Sequence, residues 1–235
     1  MNDPRTLELR ARLDAVRSRI AAAAEAAGRQ AADVTLVVVT KTWPTDDIRR
    51  LRGLGVADIG ENRHREAEMK AAELADEDCT WHFVGQVQSN KATRIAAYAD
   101  VVHSVDSVRV AQRLNAGAHR YDRSLDCLVQ VSLDAGGPGG GRGGVSPAAV
   151  EDVAEAIEGA GRLRLAGVMA VAPLGADPAA AYERLASVSS AVQAVHRQAT
   201  WISAGMSEDF EAAIAAGATH VRVGGAVLGE RPPLR

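Results

Sequence analysis

Lys41 closes the stretch VTLVVVTKT, residues 34–42. Val34, Leu36, Val37, Val38 and Val39 precede it. Such a β-branched run predicts a strand buried on both faces, as in a parallel sheet. A lysine where that strand gives way to a loop lies beside low-dielectric surroundings. These favour its neutral, nucleophilic amine, and neutral lysines form Schiff bases with carbonyl compounds. The plainer alternative is a lysine whose stem packs while its ammonium reaches water. Pro44 suits the first position of a helix that follows the strand.

The other chemistry-bearing residues fall late in the chain. One short aliphatic run ends in Ser203-Ala204-Gly205-Met206-Ser207, and the next in Arg222-Val223-Gly224-Gly225. Small residues let backbone amides approach phosphate oxygens, and a helix start there favours negative charge. Ser203 offers a hydroxyl, and Gly224 and Gly225 offer amides with no side chain in the way. Two ordinary glycine turns are the alternative. An imine-forming lysine facing a phosphate cup is the pattern that holds pyridoxal 5'-phosphate (PLP). Arg222, in the strand that ends at the cup, is then placed to meet the pyridine nitrogen. A fixed cation there disfavours protonation of that nitrogen and weakens the ring as an electron sink.

Two further loops are polar. Gly60-Glu61-Asn62-Arg63 follows the second run; Gly60 allows a tight turn, and Asn62 either meets a ligand or caps the next helix. Gly85-Gln86-Val87-Gln88-Ser89-Asn90-Lys91 follows the third, with more polarity than a turn and a cap at Ser89 or Asn90 require. His82 alternates with Trp81 and Phe83 and is expected to pack inside the fold.

These loops need a scaffold that brings strand ends to one face. Eight aliphatic runs supply it: 34–39, 56–59, 81–84, 100–103, 126–131, 163–169, 200–202 and 219–223. Helix-forming segments lie between them, at 63–74, 107–116, 148–160, 179–197 and 208–216. Strand–helix alternation predicts parallel strands with right-handed crossovers. Eight units in 235 residues predict an α/β fold, a single closed (β/α)8 TIM barrel. An open doubly wound sheet is second choice, since no Gly-x-Gly-x-x-Gly follows the first strand. Residues 1–28 form an additional helix within the same domain. Asp3 caps it, Pro4 opens it, Leu9, Leu13, Val16 and Ile20 mark its buried face, and Gly28 ends it. The glycine-rich stretch 135–144 predicts a flexible surface loop. The sharper alternative is a flap that carries Arg142 over the site.

Bulk composition narrows the class. Hydrophobic residues make up 47% of the chain, enough for a core, but only 3% are aromatic, so Ala, Val, Leu and Ile must build it. A net charge of −3 argues against general nucleic-acid binding. Cys79 and Cys127 have no metal spacing and suit reduced thiols. The charged start MNDPRTLELR lacks a signal peptide's apolar core, and no run is long enough to cross a membrane. The expectation is a cytoplasmic protein with no membrane or nucleic-acid partner.

At these residues the sequence resembles the pyridoxal phosphate homeostasis protein family, whose barrel is related to the N-terminal domain of alanine racemase. Val39-Thr40-Lys41-Thr42, Gly60-Glu61-Asn62, His82-Phe83-Val84-Gly85 with Gln88 and Asn90-Lys91, Ser203 to Ser207, and Arg222-Val223-Gly224 match in family order. The resemblance implies PLP held as a Schiff base on Lys41, phosphate contacts near Ser203, Gly224 and Gly225, and Arg222 at the ring nitrogen, with Asn62 in the same site. It implies a regulator of vitamin B6 balance that buffers or delivers PLP, possible transfer to PLP-dependent apo-enzymes, and no established catalysis. Three positions depart from the pattern: Gly225 replaces a usual Thr, Leu228 a usual Phe, and Arg142-Gly143-Gly144 a usual Lys-x-Gly. An arginine cannot form a Schiff base. The alternative is a PLP-dependent amino-acid racemase, which needs an acid or base on each face of the substrate carbon. The chain closes at Arg235, just after the eighth unit, which leaves no second domain on this reading and favours the non-catalytic one, unless a partner subunit supplies the group; a monomer is the separate expectation. A phosphate-binding barrel without PLP would leave Lys41 unexplained.

Overall fold

Each aliphatic run becomes one strand. They are β1 (Thr35–Val39), β2 (Asp58–Glu61), β3 (Thr80–Phe83), β4 (Val101–Val105), β5 (Leu125–Gln130), β6 (Leu163–Met169), β7 (Trp201–Ser203) and β8 (His220–Val223). All neighbouring pairs are parallel, and the order β1-β2-β3-β4-β5-β6-β7-β8 closes into a barrel. Closure falls between β1 and β8, where Thr35, Leu36, Val37 and Val38 face His220, Val221, Arg222 and Val223. The carboxyl ends of all eight strands therefore share one mouth, as the predicted (β/α)8 architecture requires. This computed structural model describes residues 3–134 and 143–229; the 135–142 part of the glycine-rich stretch, Arg142 included, lies outside them.

The helices are α1 (Pro4–Ala26), α2 (Thr45–Gly53), α3 (His64–Glu73), α4 (Ser89–Ile95), α5 (Val108–Arg120), α6 (Val150–Glu158), α7 (Pro178–Val195), α8 (Phe210–Ala215) and α9 (Gly225–Leu228). The α1 start follows the expectation, with the Asp3 carboxylate accepting from the amides of Arg5 and Thr6 ahead of Pro4. Its face of Leu9, Leu13, Val16 and Ile20 packs into one cluster with Ile48, Leu51, Phe210, Ile214, Val227 and Leu228. Arg5 fastens the same corner: its guanidinium lies 2.7 Å from Asp47 and donates to the Leu228 carbonyl at 3.0 Å. Helix α4 has no counterpart among the predicted segments, and of α2 only a start at Pro44 is predicted. TDDIRRLRG and SNKATRI carry too few apolar residues to mark a face.

Local departures have simple causes. Pro44 is the N-cap of α2 rather than its first helical residue. Gly60 lies inside β2, not in a turn; a Cβ there would sit 3.1 Å from methyl carbons of both Val37 and Val39. Glycine at that position lets β1 fill the space. Among the described residues, no helix is long and apolar enough to cross a membrane.

Candidate functional site at the carboxyl mouth of the barrel

A cavity of about 260 Å³ opens at the carboxyl ends of the strands. Lys41, Asn62, Arg222, Gly224 and Gly225 line it, with Val39, Val84, Val171, Met206 and Ser207. Five of the six residues singled out from the sequence thus come together. Ser203 does not line this cavity; it is fully buried one level below. Ser207, four residues later, is the hydroxyl-bearing residue at the cavity.

Lys41 is half-buried and stands two residues past the end of β1. A charged cluster holds the peptide on either side of it. Lys70 on α3 is buried, and its ammonium contacts the Thr40 carbonyl at 2.8 Å, Glu61 at 2.7 Å and Glu66 at 2.8 Å. An ammonium has three protons, so all are used. The Thr40 hydroxyl donates to Glu61 at 2.7 Å, and the Thr42 amide donates to Glu66. The carbonyl before Lys41 and the amide after it are thereby tied to one helix. Thr42 has φ 71°, a left-handed conformation that costs a β-branched residue on the order of 1–2 kcal/mol. Burial pushes the Glu61 carboxyl above its ordinary value, while the charge and hydrogen bond of Lys70 pull it back.

Asn62 is not a helix cap. The N-cap of α3 is Arg63, with no side-chain cap bond, and the Asn62 side-chain oxygen Oδ1 is buried without a hydrogen-bond partner. An orphaned acceptor on a cavity wall is a group that a ligand donor would satisfy. Gly85 explains how Asn62 is set: a Cβ there would lie 2.1 Å from the Asn62 carbonyl oxygen. On the other side of β1 Gly224 approaches that strand closely, since an added Cβ would be 3.1 Å from the Val39 carbonyl oxygen. An added Cβ at Gly225 would meet nothing within 4 Å. That open space beside two amides is room for an anionic group.

Arg222 is 5% exposed. One guanidinium nitrogen donates to the Ser203 hydroxyl at 2.6 Å and another to the Ala170 carbonyl at 2.9 Å. Burial lowers its pKa to about 10, with Tyr182 and Asp209 opposing, so the cation persists at neutral pH. Below it the barrel interior is polar. The Ser203 hydroxyl is 2.8 Å from His103 Nδ1, His103 Nε2 is 2.8 Å from His82 Nδ1, and His82 Nε2 is 2.9 Å from Asp58 Oδ1. His220 joins this layer, its ring 6.3 Å from that of His103 and 4.3 Å from that of Trp201. His82 therefore packs inside the fold as expected, whereas the roles of His103 and His220 were not anticipated. Histidine at interior positions of three strands is the signal that marks them. Burial, with the cations around it, holds His103 well below its usual range, and burial lowers His220 to about 4. Among the described residues no group of His, Cys, Asp and Glu has the geometry of a metal site.

Closed barrel, strand-end lysine and glycine cup together define one class of protein: the model of the alanine racemase N-terminal domain matches residues 11–232. Within that class, pyridoxal phosphate homeostasis proteins are the near relatives. That of Mycobacterium tuberculosis is 42% identical, with 97% of this chain and 94% of the relative covered. That of Corynebacterium glutamicum is 42% identical over 92% of this chain and 99% of its own. The structure of PipY from Synechococcus elongatus PCC7942, solved with PLP bound, superposes with a TM-score of 0.81 at 32% identity, covering 94% of this chain and all of that one. This chain belongs to the pyridoxal phosphate homeostasis protein family.

Proposed function

We propose that this protein binds PLP in the cavity at the carboxyl mouth, as a Schiff base on Lys41, and buffers or delivers it without catalysing a reaction of its own. The observation that carries the reading is that Lys41, Asn62, Arg222, Gly224 and Gly225 line one cavity. The names of the relatives and the PLP bound to PipY support it. Bound PLP supplies an aldehyde that captures amines and a ring that can accept electrons. The chain's own residues do the rest. Lys41 offers the amine, and its clamped neighbours aim it. Gly224 and Gly225 offer amides to the phosphate, with the Ser207 hydroxyl in reach of the same cavity. Arg222 would present its fixed cation to the ring nitrogen, and such a charge would disfavour protonation there. A weak electron sink suits holding and release, which need only exchange of one amine for another at the aldehyde. PLP-dependent apo-enzymes are the natural recipients.

The test is a visible spectrum of the PLP-loaded protein before and after borohydride, followed by peptide mapping. A yellow protein whose reduced pyridoxyl group maps to Lys41, and Lys41→Ala without the visible band, are the expected results. A label on Lys91 would overturn the assignment. Pyridoxal, which lacks the phosphate, should bind far more weakly than PLP; equal affinity would remove the phosphate cup. Deuterium exchange at Cα of alanine on the order of one per second or faster would reject the non-catalytic reading in favour of a racemase.

A further inference from the structure

Arg222 faces the cavity at the carboxyl mouth, whereas Asp58 begins β2 at the opposite mouth with its side chain partly exposed. Four hydrogen bonds of 2.6, 2.8, 2.8 and 2.9 Å connect them through Ser203, His103 and His82. With one proton on each imidazole and an ionised Asp58, the chain has a single polarity. A guanidinium only donates, so Ser203 Oγ accepts from Arg222 and its single proton goes to His103 Nδ1. Neutral His103 then carries its proton on Nε2 and donates to His82 Nδ1. Neutral His82 likewise carries its proton on Nε2 and donates to the Asp58 carboxylate. A cation at one end and an anion at the other fix the direction of every link between.

Barrel interiors are ordinarily filled by branched aliphatic side chains. This chain fills its own instead with His82, His103, His220, Ser203 and Arg222, all buried. An apolar filling avoids the desolvation of a guanidinium and three imidazoles. Packing alone therefore does not account for the layer. What it does account for is a guanidinium with a single orientation. While His103 Nδ1 is an acceptor it draws the Ser203 proton to itself and leaves an Oγ lone pair aimed at the guanidinium. His103 keeps that tautomer only while His82, set in turn by Asp58, accepts from its Nε2. The groups that face Arg222 from elsewhere are otherwise occupied: Tyr182 donates to Asp209 at 2.8 Å, and Asp209 also accepts from the Met206 amide at 2.6 Å.

We propose that Asp58, His82, His103 and Ser203 act as one positioning unit that sets the orientation of the Arg222 guanidinium from the far mouth of the barrel. Its consequence for the cofactor rests on the reading that Arg222 meets the PLP ring nitrogen; the positioning itself does not. None of the four touches the ligand. They act through Arg222, and Asp58 does so across the whole interior.

The experiment starts with the ligand-free, full-length protein labelled with ¹⁵N at His and Arg. His82 and His103 should both be Nε2–H tautomers. Asp58→Leu should shift the Arg222 guanidinium resonances, and Ser203→Ala should shift them too. In the double variant the Asp58→Leu shift should vanish, because the chain is already cut. Unmoved Arg222 resonances in Asp58→Leu, or shifts that simply add in the double variant, would overturn the unit. Asp58→Asn, which keeps the shape and an acceptor oxygen, serves as the conservative control and should move Arg222 less than Asp58→Leu. In PLP-loaded protein, Asp58→Leu should also shift the ¹⁵N signal of the pyridine nitrogen. It should weaken PLP binding roughly fivefold, the worth of about one net hydrogen bond, with borohydride trapping on Lys41 retained. A wild-type protein that fails to bind PLP would reject the cofactor reading while leaving the ligand-free outcomes to decide the unit.

Discussion

Lys41 and Arg222 face one cavity, yet the networks beneath them are opposites. Under Lys41 the support is ionic, local and outside the barrel: Lys70 and Glu66 are one helical turn apart on α3, and Glu61 is at the end of β2. Under Arg222 the support is a long-range row of hydrogen bonds inside the barrel, running across β7, β4, β3 and β2 and meeting a carboxylate only at its far end. The difference follows from what each must hold. The clamp must restrain a backbone kinked at Thr42, and strong charge-assisted bonds to a carbonyl and an amide do that. The chain must hold a side-chain cation, and its link to Ser203 stays uncharged, because burial first and then the neighbouring charges keep the His103 pKa well below its ordinary value.

This contrast makes the clamp the more fragile under single substitution. Lys70→Met should destabilise the fold by about 3–5 kcal/mol, because it leaves Glu61 and Glu66 without their buried cation. Urea denaturation measures it, and the double variant Lys70→Met/Glu61→Gln should recover part of the loss. A cost below about 1 kcal/mol for Lys70→Met would mean that the carboxylates are solvated or protonated, and the contrast with the neutral chain would collapse.

The neutral layer should instead reveal itself through pH. His220 has a folded-state pKa of about 4, lowered first by burial and then by His82, with Asp58 opposing and Arg222 adding. In the unfolded chain the ordinary value is about 6.5. Between those two pH values the unfolded state binds a proton that the folded state does not, so stability falls as pH drops from about 6.5 towards 4 and levels off below. For His220 alone the loss is on the order of 3 kcal/mol, and His103, also lowered, adds to it in the same direction. Denaturation midpoints at several pH values test this, with His220→Phe expected to flatten the profile. A profile that is flat in the wild-type protein would show that the layer takes up protons while folded.

The smallest expected effects compare the two glycines of the cup. Gly224→Ala should cost about 1 kcal/mol without ligand, since its Cβ would press on the Val39 carbonyl oxygen at 3.1 Å. Gly225→Ala, facing open space, should stay within about 0.5 kcal/mol. Thermal melts of the two variants rank them; the reverse order would mean that β1 and β8 yield at their ends.

Much of this arrangement can be read in the sequence, for identifiable reasons. Leu163–Met169 is predicted to the residue, because Leu163, Leu165, Ala166, Val168 and Met169 mark a run that starts just after a glycine-bounded turn. Lys41, Arg222, Gly224 and Gly225 are legible because a parallel barrel brings all its strand ends to one mouth. What escapes is anything that depends on side-chain direction. Glu61 reads as a loop residue, but it ends β2 and points at Lys70, nine positions away. Ser203 reads as a ligand hydroxyl, but the final residue of β7 turns it towards His103, one hundred positions away. Hydrophobic periodicity carries no information about pairs like these.

The packing of α1 has a consequence for how the protein is made. Leu9, Leu13, Val16 and Ile20 leave the ribosome ahead of every strand, and Phe210, Ile214, Val227 and Leu228 of their cluster come some two hundred residues later. At typical elongation rates that interval is about 10–40 s. Through it the nascent chain carries an apolar stripe whose permanent cover has not been synthesised. The barrel seam is also the last contact to form, because β1 finds β8 only once the eighth strand has emerged. The first helix of this protein is therefore a latch that must wait, exposed to chaperones and to neighbouring chains, until translation delivers the surface it fastens.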